Sequence, residues 1–118
     1  MKLLRSFHYA GSGIVYCCKT QPNFRIHLGV LAAVIVSGVF FKLSKTEWIF
    51  IIVCSILVLV FEMINTAIEY LCDLVTTEFH PGIKTIKDLS AGAVLICAAG
   101  SVLTGLIIFI PKIIAFLK

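Results

Sequence analysis

The chain has 118 residues, of which 60% are hydrophobic and 14% charged, with a mean hydropathy of +1.09. A soluble domain of this size has no means of hiding so much apolar surface, so the composition selects an integral membrane protein with room for one compact unit and no second domain. The net charge of +4 is spread out without a basic stripe, which suits contact with anionic lipid headgroups and argues against nucleic acid as a partner.

Met1 to Arg5 opens like a signal peptide, but Arg5, His8, Ser12 and Lys19 interrupt any apolar core and no cleavage site follows, so the segment is expected to be retained. Over residues 3–18, Leu3, Phe7, Ala10 and Ile14 share one helical face, with Lys2, Arg5 and Ser12 elsewhere. That pattern predicts an amphipathic helix lying on the membrane surface. Gln21-Pro22-Asn23 breaks it, and Pro22 suits the first turn of the next helix. A first span is predicted over about 24–43, uncharged from Leu28 to Phe41, with Arg25 and Lys42 snorkelling at its ends. The turn at 42–46 offers Thr46 as N-cap and sets Trp48 at interface depth.

The second span is predicted over about 47–75. It is apolar from Trp48 to Phe61 and too long for the bilayer alone, so its end projects beyond the hydrocarbon. His80-Pro81-Gly82 is expected to end that helix. A polar connection through Lys84, Lys87 and Asp88 then leads to a third span over about 89–111. There Ala93, Cys97, Ser101 and Gly105 put a small residue at every fourth position, a face that lets another helix approach closely, within the chain or from another subunit. The fold class is therefore all-α: a surface helix plus three transmembrane helices. Six basic residues on the N-terminal and 73–88 side, against four opposite, place the N-terminus and the acidic connection in the cytoplasm. Cys17, Cys18, Cys54, Cys72 and Cys97 form no C-x-x-C pair and read as free thiols packed as small apolar residues.

Five of the six acidic residues fall between Glu62 and Asp88. Glu62, Asn65, Glu69 and Asp73 lie within an arc of about 80° on one helix. An acidic residue at a helix end is ordinarily just solvated. Glu62 differs, because it directly follows an uncharged run of 14 residues, and an ionisable group at that depth is functional by default. Carboxylates able to hold a divalent cation, facing lysines able to pair with phosphate, are what phosphoryl transfer needs. Gly11-Ser12-Gly13 is not followed by Gly-Lys-Ser/Thr and is no P-loop.

At these spacings Glu62-Met63-Ile64-Asn65-Thr66-Ala67-Ile68-Glu69, then Asp73, Glu78-Phe79-His80, and Lys87-Asp88 with Ala91-Gly92-Ala93-Val94-Leu95, resemble the prokaryotic diacylglycerol kinase family, which includes the undecaprenol kinases. The resemblance covers nearly the whole chain. It implies a homotrimer with active sites shared between subunits, in the bacterial inner membrane, and MgATP as phosphoryl donor. It also implies roles: Glu62 as general base toward the lipid hydroxyl, Asn65 positioning the γ-phosphate, and Glu69 as metal ligand. Glu78 and His80 contact the nucleotide, and Lys87 and Asp88 hold phosphate, ribose or nearby groups. Tyr9 matches a tyrosine of the surface helix near the nucleotide, Lys2 a customary basic position, and Asp73 a motif carboxylate not separable from structural support. The lipid alcohol is undecaprenol or diacylglycerol, with a slight lean to the former from the short N-terminal region and Asn23-Phe24-Arg25-Ile26-His27.

One departure stands out. Gln21 falls where the family commonly has a glutamate that helps Glu69 hold Mg²⁺, and a glutamine oxygen coordinates without the negative charge. That opens the alternative of a catalytically weak or silent scaffold derived from a kinase. A small proton-coupled exporter using Glu62 is the other rival, disfavoured by three spans and by polar residues gathered at one membrane face.

Overall fold

The computed structural model describes residues 1–118 and contains four helices and no strand: α1 (Lys2–Thr20), α2 (Pro22–Phe40), α3 (Lys45–Val75) and α4 (Pro81–Leu117). The last three are long and apolar enough to cross a membrane. α3 and α4 make the principal helix pair, α2 lies against α3, and α1 touches α2 and α3. Only 11 of the 118 residues are buried, while long apolar side chains such as Val36, Leu95, Ile96 and Ile107 are exposed. A protein with so thin a core is held by surroundings that are themselves apolar, as a bilayer is.

Each helix boundary has a local cause, and several lie away from the expected positions. α2 ends at Phe40 because Lys42 turns left-handed at φ 54°. The Leu43 amide then donates to the Gly38 carbonyl and that of Lys42 to Val39, the two bonds of a Schellman stop, and Leu43 tucks in as its buried apolar residue. The N-cap of α3 is Ser44, not Thr46. Ser44 has Glu47 three residues on, so its hydroxyl accepts from the Glu47 amide at 3.2 Å while Glu47 accepts from the Ser44 amide at 2.8 Å. Thr46 has no such partner and lies inside the first turn.

α3 ends at Val75, so His80-Pro81-Gly82 does not terminate it; these residues start α4. His80 Nδ1 accepts from the Gly82 amide at 3.0 Å and Pro81 occupies the first turn, where its missing donor costs nothing. The polar stretch expected as a connection is thus the first two turns of α4. At its other end α4 runs through Pro111 to Leu117. Lys112 Nζ lies 3.1 Å from Glu47 Oε2, and Phe40, Phe41, Phe109 and Phe116 meet edge to face, so that membrane end is fastened past the proline.

The small-residue face of α4 is used in part within the chain. Ser101 donates to the Cys54 carbonyl at 3.3 Å, and Cys54 Sγ sits 3.7 Å from Thr104 Oγ1. All five cysteines are free.

The most tightly covered glycine is Gly38, where the Trp48 indole lies over the backbone. A Cβ at 38 would fall 2.6 Å from Trp48 Cη2 and 2.9 Å from Cζ2. Gly38→Val is expected to lower stability by about 1–3 kcal/mol through overpacking. Thermal unfolding in detergent, followed by the fluorescence of the single tryptophan, reads this directly, and an unchanged midpoint would show that the indole moves aside without loss.

Candidate functional site

Four buried polar or charged side chains exist in the molecule, and all belong to one layer: Glu62, Asn65 and Thr66 of α3 and Ser90 of α4. Helical spacing sets the first three on adjoining turns of α3, and the α3–α4 packing brings Ser90 over them. Its hydroxyl donates to Asn65 Oδ1 at 2.6 Å. The Asn65 amide in turn faces Glu69 Oε1 at 3.4 Å, a long bond, and Thr66 donates to the Glu62 carbonyl at 2.9 Å. Asn65 is thereby oriented: the hydroxyl holds its oxygen, so its NH₂ points along the stripe toward Glu69.

Glu62 is 3% exposed, and its carboxylate accepts no hydrogen bond from a protein donor. Its nearest charged or chargeable partner is His27 of α2, with Nε2 4.0 Å from Oε2. A buried carboxylate so sparsely partnered is expensive to hold unless a substrate or ion completes it.

About three turns beyond Glu62, Asp73 Oδ1 pairs with Lys87 Nζ at 2.7 Å, tying the end of α3 to the start of α4. Asp73 therefore has a visible structural task. Asp88 pairs with Lys84 one turn back on its own helix. Both pairs are solvent-accessible, so they hold the lysines and Asp88 at the site's rim without locking them away from a phosphate.

α1 reaches this end of the molecule at its C-terminal half. Gly13 faces Met63, the rings of Tyr16 and Tyr70 meet edge to face at 6.2 Å, and Cys17 is buried beside Thr66. Burial pushes the Cys17 thiol up despite the lowering effect of its hydrogen bond with Thr66, so it is no nucleophile. Between α1 and α3 lies an apolar cleft of about 580 Å³ whose walls include Tyr16, Met63, Thr66 and Tyr70.

The geometry thus joins Glu62, Asn65 and Glu69, and separately Asp73 and Lys87. No polar contact links Lys2, Tyr9, Gln21, Glu78, His80 or Asp88 to the stripe. Lys2 and Tyr9 are exposed on α1, Glu78 and His80 are exposed around the 76–80 connection, and the Gln21 amide donates to Thr20 Oγ1 at 3.2 Å. No three His, Cys, Asp or Glu side chains converge as a ready-made metal cage. Ser90 and His27 are the residues that sequence reasoning missed. Nothing in a local pattern singles out a serine in an apolar run or a histidine among apolar neighbours; only the register between helices does.

The family model described as prokaryotic diacylglycerol kinase matches residues 8–109. Among similar proteins, the undecaprenol kinase of Bacillus subtilis is 39% identical over 112 residues, 95% of this chain and 91% of its own length. A diacylglycerol kinase of Synechocystis is 37% identical over 98% of this chain and 66% of its own length. That of Haemophilus influenzae is 32% identical over 91% of this chain and 92% of its own. The chain belongs to the prokaryotic diacylglycerol kinase family.

The Ser90–Asn65 bond has a measurable consequence. Ser90→Ala leaves a buried amide oxygen without its donor and is expected to cost about 1–3 kcal/mol, whereas Ser90→Thr keeps the hydroxyl. Thermal midpoints of the two variants in detergent should differ accordingly, and equal midpoints would show that the bond contributes nothing net.

Proposed function

We propose that the chain is an ATP-dependent lipid kinase that moves the γ-phosphate of ATP onto a membrane lipid alcohol at the cytoplasmic face of the bacterial inner membrane. The family supports the kinase; the observation that supports the site is Glu62, a buried and sparsely partnered carboxylate at the polar end of the longest apolar run of α3. Undecaprenol is the preferred acceptor, because a relative matching along almost its full length is named for that activity, and diacylglycerol is the second.

In this reading Glu62 takes the proton of the lipid hydroxyl as the oxygen attacks phosphorus. The bond from the γ-phosphorus to the bridging oxygen breaks, and ADP leaves. Transfer is in-line and direct, since no side-chain nucleophile stands in the cluster. Asn65, aimed by Ser90, offers its NH₂ to the γ-phosphate. Lys87 supplies positive charge at the rim, and Asp88, Glu78, His80 and Tyr9 contact the nucleotide. Lys2 and Asp73 support this arrangement.

Mg²⁺ fits the donors present. It ordinarily takes one or two carboxylates and fills its shell with phosphate oxygens and water, so it needs no closed protein cage. Glu69 is half-buried with a single long protein contact, which leaves its oxygens free to ligate, and Gln21 is the second candidate ligand. When bound with ATP the metal would neutralise charge on the phosphates.

We also read the active unit as a homotrimer with shared sites. Two observations support it: the thin single-chain core, and the distance in contact terms between the stripe and Lys2, Tyr9, Gln21, Glu78 and His80. A catalytically silent scaffold remains the second reading, carried by Gln21 alone.

Transfer of ³²P from γ-labelled ATP to undecaprenol and to diacylglycerol in mixed micelles tests the proposal. Labelling of one lipid, reduced roughly 10²-fold or more by Glu62→Gln, is the expected result. Absence of labelling at high Mg²⁺ from a folded protein would favour the scaffold. Gln21→Glu is expected to lower the Mg²⁺ concentration giving half-maximal rate, and an unchanged value would remove position 21 from the metal.

A further inference from the structure

His27 has no part in the roles assigned above, yet it is the side chain that approaches the Glu62 carboxylate. It lies on the second turn of α2 and is itself partly exposed, its side chain 25% accessible against 5% for Glu62. It makes no other hydrogen bond or ion pair. Its Nε2 sits 4.0 Å from Glu62 Oε2, about 1 Å beyond a hydrogen bond, so a small side-chain rotation brings them together. It also lines an apolar groove of about 440 Å³ between α2, α3 and α4, bordered by Val30, Val58 and Ser101. His27 is therefore both the near neighbour of Glu62 and the more accessible of the two.

The chemistry of the reaction gives that position a task. Each transfer breaks one hydroxyl O–H bond, forms the new O–P bond and leaves one proton on Glu62. The carboxylate must lose that proton before it can act again. At 3% exposure its contact with water is narrow, and the other side chains of its layer, Asn65, Thr66 and Ser90, are not bases. An imidazole is the group that accepts a proton readily near neutral pH and returns it to solvent.

We propose that His27 is a positioning residue for Glu62: it orients the carboxylate with one oxygen toward α2 and the other toward the lipid hydroxyl, and it takes the proton from Glu62 between turnovers. The proton moves from Glu62 to Nε2 and from there to water, restoring both groups, so each cycle converts ATP and lipid alcohol into ADP, lipid phosphate and one released proton. This rests on the lipid-kinase reading with Glu62 as base.

The test uses the full chain in mixed micelles with γ-labelled ATP, comparing wild type, His27→Gln, His27→Ala and Glu62→Gln. Both His27 variants are expected to keep the KM for ATP within about twofold and to lose roughly ten- to a hundredfold in kcat, less than the loss from removing the base itself. Free imidazole should restore part of the rate to His27→Ala and none to Glu62→Gln. A near-wild-type kcat in both His27 variants overturns the proposal. So does a loss that imidazole leaves untouched, or one accompanied by a lowered thermal midpoint, since either marks a packing role. An inactive wild type, or a Glu62→Gln variant as active as wild type, instead overturns the kinase reading on which the proposal stands.

Discussion

A single carboxylate inside the apolar part of a membrane helix is the constraint around which this molecule is arranged. Leaving Glu62 alone among hydrocarbon side chains would be unfavourable, so the sequence surrounds it with every other buried polar side chain it has: Asn65, Thr66 and Ser90. Those groups satisfy one another, hydroxyl to amide and hydroxyl to backbone, and leave the carboxylate itself without a protein donor. A layer built for stability alone would close the last bond. This one keeps the reactive group available and fixes its neighbours instead, so the polar side chains can meet a substrate without first rearranging.

The two membrane ends of the bundle show opposite solutions. At the far end the Ser44–Glu47 capping box, the Glu47–Lys112 pair and four phenylalanines bind α2, α3 and α4 into one block, with Trp48 laid over Gly38. At the site end the helices are joined by a few polar contacts, chiefly Lys87–Asp73 and Ser90–Asn65, and by the limited docking of α1. Rigidity is concentrated where nothing has to enter. The looser end is the one that carries the polar stripe.

How much of this the sequence disclosed depends on the range of the interaction. Helical periodicity alone put Glu62, Asn65, Glu69 and Asp73 on one stripe, and the apolar runs placed three spans, because both signals are local. The cap of α3 was legible as well, in Ser44 followed by Glu47, though Thr46 drew attention by lying nearer the apolar run. The start of α4 was misjudged because a polar stretch looks like a loop, while Pro81 at the first turn and a capping His80 make it a helix. His27 and Ser90 were beyond reach: each matters only through a residue 35 or 25 positions away, and the sequence carries no sign of that register.

The length of α3 explains where the site lies. Its 31 residues span about 46 Å, against roughly 30 Å of hydrocarbon, leaving a surplus of about 16 Å. The stripe from Glu62 to Asp73 runs eleven residues, again about 16 Å. Measured from Lys45, Glu62 stands about 25 Å along the helix; with Lys45 at one boundary of the hydrocarbon, Glu62 would lie just within the apolar layer and Asp73 in water. One helix face thus passes from hydrocarbon to solvent through carboxylate, amide, carboxylate and ion pair. In the proposed reading the lipid hydroxyl meets this face at Glu62 and the γ-phosphate meets it one turn on, at Asn65, with the rest of the nucleotide extending toward solvent. A shorter helix would strand Glu62 among headgroups, away from an alcohol on an apolar tail, and a deeper stripe would draw phosphate into hydrocarbon. On that reading the overhang of α3 is what sets reactants from two phases against one helix face.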